Sequence, residues 1–230
     1  MSQPAVRVKI CGLTSVLDAL KCAEAGADWI GLNFHPGSPR FIDMARASSI
    51  VSVIPTSVSV VGVFVNRPAA EVARVAQFLG LKVVQLHGEE PPEDLLALSH
   101  LQVVRAFRLS RPSDWRGVTE FLSRAEAIGR SPDAILIDAF VPGEPGGTGA
   151  SVAADVLECI PPLPRLILAG GLTPENVAAK VARVQPWMVD VASGVESAPG
   201  RKDAAKVAAF VRAVQDGSVR GIGSRIPSRT

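Results

Sequence analysis

The feature that most constrains this chain is an eightfold alternation of short β-branched runs with segments of helical periodicity. Apolar residues at strand spacing and at helical spacing distinguish the two element types. The sequence predicts strands at Val6–Ile10, Trp29–Phe34, Val58–Val65, Val83–His87, Gln102–Phe107, Ala134–Asp138, Leu166–Ala169 and Met188–Val191. It predicts helices at Ser15–Ala25, Met44–Ile54, Ala69–Leu79, Pro92–Leu98, Ser113–Ile128, Ser151–Cys159, Pro174–Val184 and Asp203–Gln215.

This alternation favours a closed (β/α)8 TIM barrel, an α/β fold, over an open doubly wound sheet. An open sheet of this length normally has fewer strands, and the first turn, "CGLTS", lacks the glycine spacing of a dinucleotide site. No linker or low-complexity block divides the 230 residues. We therefore expect a single catalytic barrel domain over residues 1–217 and a frayed tail over residues 218–230, where Gly, Ser, Arg and Pro accumulate.

Charge and cysteine content argue against several classes of partner. The net charge is +2 and the basic residues are scattered, which predicts no nucleic-acid partner. No uninterrupted apolar span of about 20 residues predicts a membrane helix, and no signal peptide is evident, so a cytoplasmic location is expected. Cys11, Cys22 and Cys159 are widely spaced without a histidine pattern, which predicts neither a disulfide framework nor a metal site.

The carboxyl ends of the strands are where a TIM barrel builds its active site. Polar or small residues at those ends are therefore the candidates for function. They are Cys11, Asn33, His35, Arg40, Asn66, Arg67, Gln85, His87, Arg108, Asp138, Gly170, Gly171, Asp190, Ser193 and Gly194.

Two glycine-containing loops follow the last two predicted strands, "LAGGLTPENV" and "VDVASGVES". Backbone N–H groups in such loops can converge on an anion, and the loops after strands seven and eight are the usual phosphate site of these barrels. The glycines can also be simple turn residues. Two such loops in these positions favour a phosphorylated substrate.

Cys11 and Asp138 are the candidates for proton transfer. Asp138 closes an apolar strand, where partial desolvation raises a carboxyl pKa and suits a general acid; it can instead cap the following turn. Lys9 and the start of the first helix are expected to lower the pKa of Cys11 toward neutrality. On the residues alone, a buried and inert cysteine remains the default interpretation of Cys11.

Arg40 and His87 are the candidates for substrate contacts. Arg40 lies in the constrained loop "FHPGSPRFI", where its guanidinium can grip a carboxylate. It can equally be a surface arginine or the partner of a neighbouring acid. His87 ends "VVQLH" and can line the site or serve as a hydrogen-bonded structural histidine.

Together these motifs resemble the phosphoribosylanthranilate isomerase family. The matching stretches are "VKICGLT", "DWIGLNFHPGSPRFI", "VGVFVN", "VVQLHGEE", "ILIDAF" with "GGTG", "LAGGLTPENV" and "VDVASGVE" with "PGRKD", in order from residue 8 to residue 203. The cysteine of the first stretch and the aspartate of "ILIDAF" carry most of the specificity. The chain departs from the family pattern after "GGTG", and it has Ala192 where the family commonly has serine.

The resemblance implies an Amadori rearrangement of an aminoaldose phosphate to an aminoketose phosphate without cofactor or metal. By the same resemblance Asp138 is the general acid and Cys11 the general base. Arg40 would hold the anthranilate carboxylate, and Gly171, Ser193 and Gly194 would bind the phosphate. His87, Gly170 and Asp190 complete the expected substrate-binding set, and the resemblance is compatible with a monomer or a homodimer.

Two other interpretations remain open at this point. One is a different phosphosugar barrel, such as an indoleglycerol-phosphate synthase or a pentose-phosphate epimerase, although neither catalytic lysines with a glutamate nor metal-binding histidines are found at the strand ends. The other is a non-catalytic barrel that binds a phosphorylated ligand, which would have no need of both Cys11 and Asp138.

Overall fold

Eight parallel strands close into a barrel. The computed structural model describes residues 5–138, 156–161, 163 and 165–223. The strands are β1 (Arg7–Cys11), β2 (Trp29–Asn33), β3 (Ser59–Phe64), β4 (Val83–Leu86), β5 (Gln102–Arg108), β6 (Ala134–Asp138), β7 (Leu166–Ala169) and β8 (Met188–Val191). Neighbouring strands pair in parallel and β8 pairs with β1, so the sheet closes on itself. The predicted TIM barrel is confirmed, and the open sheet is excluded.

Helices connect successive strands on the outside of the barrel. They are α1 (Val16–Glu24), α2 (Met44–Val51), α3 (Ala69–Leu79), α4 (Asp94–Ala97), α5 (Trp115–Ala127), α6 (Val177–Val184) and α7 (Ala204–Gly223). A 3₁₀ turn at Pro112–Asp114 leads into α5. Of the helix predicted at Ser151–Cys159, only 156–158 are described as helical, and the rest lies outside the described residues or in a turn.

Helix α7 continues to Gly223, six residues beyond the predicted end of the barrel domain at residue 217. Gly217, the last residue of the predicted domain, has a packing role. A Cβ atom on Gly217 would lie 2.5 Å from the carbonyl oxygen of Ala178, so glycine allows α7 to approach α6 closely. Residues 224–230 lie outside the described residues.

A small antiparallel hairpin follows the barrel and was not predicted. A 3₁₀ turn at Ser193–Val195 leads into β9 (Glu196–Ala198), which pairs with β10 (Arg201–Lys202). Strands this short carry no periodicity that a sequence pattern can detect. The hairpin lies between β8 and α7 in the chain, and its Glu196 bonds Arg40, which lines the cavity described below.

Side chains alternate along each strand between the helix layer and the barrel interior. Val8 and Ile10 of β1 belong to the large apolar core beneath the helices, whereas Lys9 between them is fully buried. An apolar cluster that includes Trp29, Val61 and Met188 occupies part of the sheet. Four polar side chains are buried on the barrel strands, namely Lys9, Gln85, Arg105 and Asp190. A polar layer therefore lies on the strands that carry the candidate site.

Candidate active site

A cavity of about 300 Å³ lies at the carboxyl ends of the strands. Its lining includes all nine residues that the sequence singled out as catalytic or substrate-binding: Cys11, Arg40, His87, Asp138, Gly170, Gly171, Asp190, Ser193 and Gly194. Asn33 and Gln85 from the wider candidate set line it too. His35, Asn66, Arg67 and Arg108 are not among the lining residues. The closed barrel thus gathers side chains from both ends of the sequence into one site.

A buried ion pair lies two residues before Cys11 on β1. The Nζ atom of Lys9 donates a hydrogen bond of 2.8 Å to Oδ2 of Asp190 on β8. Burial opposes the charge on Lys9, but the carboxylate of Asp190 and the neighbouring Cys11 raise its pKa overall. Oδ1 of Asp190 has no hydrogen-bond partner in the described part of the chain. The ammonium of Lys9 is therefore a fixed positive charge at the cavity.

The thiol of Cys11 lies over Gly31, where an added Cβ would come within 2.6 Å of the sulfur. Burial raises the pKa of this thiol and Asp190 raises it further, while Lys9 and Lys202 act in the opposite direction. The net pKa is above its ordinary value, so the expected shift toward neutrality is wrong. The reason is that Lys9 shares its charge with Asp190 and offsets only part of the desolvation.

Asp138 occupies the last position of β6 and is half-buried. It pairs in register with Arg108 of β5 and with Ala169 of β7, and its carbonyl accepts a hydrogen bond of 3.1 Å from the backbone of Leu109. Its backbone is therefore held between the two adjacent strands. The "AFVPGEPGGTG" segment begins at the next residue and lies outside the described residues.

Arg40 reaches the cavity from the loop after β2 and is held by Glu196. Its Nε and Nη2 atoms donate hydrogen bonds of 2.8 and 2.6 Å to the two carboxylate oxygens. Lys202 donates to the same carboxylate at 2.8 Å and to the carbonyl of Ala192 at 3.0 Å. The aliphatic part of Arg40 packs on Gly12, whose added Cβ would lie 2.5 Å from Cδ. Arg40 is therefore fixed next to Cys11, with Nη1 unbonded among the described residues.

Arg40, Glu196 and Lys202 form a cluster in which each side chain stabilises the charged form of its partner. Burial works against the ionised carboxyl of Glu196, but the hydrogen bonds from Arg40 and Lys202 lower its pKa overall. The same hydrogen bond to Glu196 raises the pKa of Arg40. From the sequence, Arg40 could either bind a ligand carboxylate or pair with a neighbouring acid. The structure shows the pairing, with Glu196 as the acid.

His87 follows β4 and is half-buried in the cavity wall. Its Nδ1 lies 2.7 Å from Nε2 of Gln85, which is itself buried on β4. Burial lowers the pKa of His87 to about 4, and the positive charges of Lys9, Arg108 and Arg105 contribute in the same direction. His87 is thus an uncharged imidazole at neutral pH.

The loops after β7 and β8 touch each other. Gly170 and Gly171 have φ values of 92° and 58°, in the left-handed region that favours glycine. An added Cβ on Gly194 would lie 1.9 Å from the carbonyl oxygen of Leu172. Glycine is therefore needed where the backbones of the two loops approach each other closely. Such an arrangement suits an anion site made of backbone N–H groups.

Sequence reasoning missed Glu196 and Lys202, which form a charged cluster with the cavity-lining Arg40. Both belong to the unpredicted hairpin, past the last strand end at which candidates were sought. A signal was present in "VESAPGRK", where three charged residues, Glu196, Arg201 and Lys202, flank a Pro-Gly pair. In the described part of the chain no cluster of histidine, cysteine, aspartate and glutamate could hold a metal ion, and no helix there is long and apolar enough to cross a membrane.

The fold and cavity define the class of protein: a (β/α)8-barrel enzyme with its site at the carboxyl ends of the strands. A family model described as N-(5'phosphoribosyl)anthranilate (PRA) isomerase matches residues 8–213. The chain belongs to this isomerase family.

Individual relatives agree with the family match. The N-(5'-phosphoribosyl)anthranilate isomerases of Geobacter metallireducens and Geobacter sulfurreducens are 44% and 45% identical to it over 90% of this chain and 98% and 97% of theirs. The crystal structure of phosphoribosyl anthranilate isomerase from Thermotoga maritima superposes with a TM-score of 0.78 at 35% identity, covering 95% of this chain and 99% of that one. A complex of such an isomerase with reduced 1-(o-carboxyphenylamino)-1-deoxyribulose 5-phosphate gives a TM-score of 0.76 at 36% identity, covering 91% and 98%.

Proposed function

We propose that this phosphoribosylanthranilate isomerase performs its Amadori rearrangement with Asp138 as general acid and Cys11 as general base. The substrate is N-(5'-phosphoribosyl)anthranilate and the product is 1-(2-carboxyphenylamino)-1-deoxyribulose 5-phosphate, in tryptophan biosynthesis. The observation that carries the assignment is that one cavity is lined by both groups, from β1 and β6 of the closed barrel.

The first step opens the sugar ring. Asp138 gives its proton to the ring oxygen, the C1–O bond breaks, and the lone pair of the aniline nitrogen forms a C1=N iminium. The carboxyl of Asp138 is suited to this step because proton delivery converts a poor leaving oxygen into a hydroxyl. The positive charge of the iminium acidifies the hydrogen on C2.

In the second step the thiolate of Cys11 takes the proton from C2, and the electron pair forms a C1=C2 double bond. This enolamine then loses the proton of its C2 hydroxyl and gains one at C1, which yields the ketone. Because the pKa of the free thiol is raised, little thiolate exists before substrate binds at neutral pH. Lys9 and the cationic iminium both stabilise the thiolate form.

The remaining cavity residues bind the two anionic ends of the substrate in this proposal. Nη1 of Arg40 reaches the anthranilate carboxylate while Glu196 holds the rest of the guanidinium. Gly170, Gly171, Ser193 and Gly194 present backbone N–H groups to the phosphate. His87 and Asp190 contact the substrate between these ends.

The phosphorylated small molecule is the only partner that this proposal needs. Solved relatives include monomers generated from the dimeric isomerase of Thermotoga maritima, and we propose that this chain is a monomer or a homodimer. A cytoplasmic location remains a prediction of the sequence.

A fluorescence assay tests the reaction. The unstable substrate is generated in the cuvette from anthranilate and phosphoribosyl pyrophosphate by a transferase, and its fluorescence decreases as it is isomerised. We expect the purified protein to accelerate the decrease far beyond spontaneous breakdown, with the transferase alone as control. A decrease no faster than the control would favour the non-catalytic phosphate-binding barrel.

A further inference from the structure

Gln85 and His87 form a buried side-chain pair that the acid–base mechanism leaves without a role. Both residues lie on or directly after β4, two positions apart, so their side chains point to the same side of the strand. Gln85 is 1% exposed, and both residues line the cavity. A buried amide on a cavity wall is unusual unless its polar groups serve a neighbour or a ligand.

The hydrogen bond between the two side chains fixes which nitrogen of His87 carries the proton. Nε2 of Gln85 is an amide N–H donor and lies 2.7 Å from Nδ1 of His87, so Nδ1 accepts. A neutral imidazole with an acceptor at Nδ1 carries its hydrogen on Nε2. The amide oxygen of Gln85 has no partner in the described part of the chain, so the contact with His87 is the one side-chain hydrogen bond of this amide there.

We propose that Gln85 is a positioning residue that holds His87 as the Nε2–H tautomer, so that a neutral N–H donor serves an oxygen atom of the substrate other than its phosphate oxygens. The assignment of that oxygen rests on the proposed function, whereas the tautomer does not.

Strand order supports a contact away from the phosphate. The two glycine loops follow β7 and β8, and β4 lies on the opposite side of the closed barrel from β8. Asp138 on β6 and Arg40 after β2 are nearer to β4 in strand order. His87 therefore faces the portion of the substrate that carries the sugar oxygens and the carboxylate. The ring oxygen and the carboxylate oxygens accept hydrogen bonds and cannot donate them, so an N–H donor suits them and an acceptor nitrogen would not.

The charge state of His87 is consistent with a permanent donor. Lys9, Arg105 and Arg108 surround the ring with positive charge, and together with burial they lower its pKa to about 4. Protonation at Nδ1 is further opposed by the N–H of Gln85, which would then face another donor. The donor is therefore available throughout the neutral range without adding a charge that could compete with Asp138 for the role of acid.

Nitrogen-15 NMR of the histidine rings tests the tautomer in the ligand-free protein. The chain contains three histidines, so the spectrum is simple, and His87→Asn identifies the His87 signals by their loss. We expect protonated Nε2 and unprotonated Nδ1 in the parent. In Gln85→Glu the carboxylate accepts from Nδ1, so we expect that nitrogen to become protonated while the signals of His35 and His100 stay unchanged. A parent spectrum with protonated Nδ1 would overturn the proposal without bearing on isomerase activity.

Ligand affinity tests the contact. Gln85→Leu keeps the volume and removes the donor, and we expect it to weaken binding of reduced 1-(o-carboxyphenylamino)-1-deoxyribulose 5-phosphate by about 10- to 100-fold. Affinity for inorganic phosphate, used as the matched probe, should stay within about twofold. Unchanged affinity for the analogue, or an equal loss for inorganic phosphate, would show that Gln85 only supports the barrel.

Discussion

The ammonium of Lys9 lies 2.8 Å from a carboxylate oxygen of Asp190, and the two residues are separated by 181 positions in the chain. Their side chains are 0% and 8% exposed. The pair closes the barrel between β1 and β8 and sets the electrostatic environment of Cys11. Breaking it should therefore affect both stability and thiol chemistry.

Replacing Lys9 with Met should lower the free energy of unfolding by about 3–5 kcal/mol, because Asp190 would be left as a buried charge without its partner. A Lys9→Met, Asp190→Leu double variant should recover most of the loss. Urea denaturation measures the free energy of unfolding of the parent and of each variant. The control Lys82→Met changes an exposed lysine and should stay within about 0.5 kcal/mol of the parent. A double variant no more stable than the single one would contradict this account.

Alkylation should report the raised pKa of Cys11. Its ordinary value is 9.0 and the shift is upward, so the thiol is neutral at pH 7 and its reaction with iodoacetamide should rise only above about pH 9. Mass spectrometry distinguishes the three sites. Cys159 should react fastest because it is exposed to the reagent, and Cys22, whose pKa burial raises to about 12, should react least. Equal rates for Cys11 at pH 7 and pH 9 would show an activated thiolate instead.

Glu196→Gln should destabilise the protein at pH 7 by about 2–3 kcal/mol, because Arg40 and Lys202 lose their anionic partner. The pKa of Glu196 is lowered in the folded state, so its stabilisation is complete above the unfolded value near 4.5 and is lost as pH falls through the folded value. The stability difference between parent and variant should therefore shrink below about pH 4. Denaturation at pH 7 and at acid pH measures it, and a constant difference would rule out this role.

Gly194→Ala should separate the loops that follow β7 and β8, because the new methyl group would overlap the carbonyl of Leu172. We expect a loss of about 1–3 kcal/mol in stability and weaker binding of inorganic phosphate. Gly117→Ala in α5 is the control, since nothing lies within 4 Å of its added Cβ and alanine favours a helix. Calorimetry should show phosphate binding reduced only in the first variant. Equal binding in both would place the phosphate elsewhere.

The barrel fold and the candidate residues that line its cavity were predictable, because both follow from local sequence patterns. Val8 and Ile10 alternate with Lys9 in the strand, and Cys11 and Asp138 end strands whose carboxyl ends must meet at one face. The ion pairs were not predictable. Arg40 and Glu196 are 156 positions apart, and their contact exists only once the barrel has closed and the hairpin has folded over it.

The pKa of Cys11 was also not predictable from the sequence, because it depends on residues that are distant in the chain. The sequence places Lys9 two residues away and therefore predicts a lowered pKa, but it does not show that Asp190 takes the same ammonium as its partner. The balance between desolvation and one shared charge depends on side chains from three strands. The tautomer proposed for His87 likewise depends on its contact with Gln85. The sequence "VVQLH" shows that the two residues are two positions apart but does not show how their side chains are oriented.

The isomerase rates of Cys11→Ser and Asp138→Asn test the acid–base assignment most directly. Each substitution keeps the shape of the side chain and removes the proton-transfer group, so we expect kcat to fall by at least about 100-fold in each while circular dichroism and the melting temperature stay close to those of the parent. Exposed Cys159→Ser should keep the parental rate. Parental rates in either Cys11→Ser or Asp138→Asn would contradict the assignment.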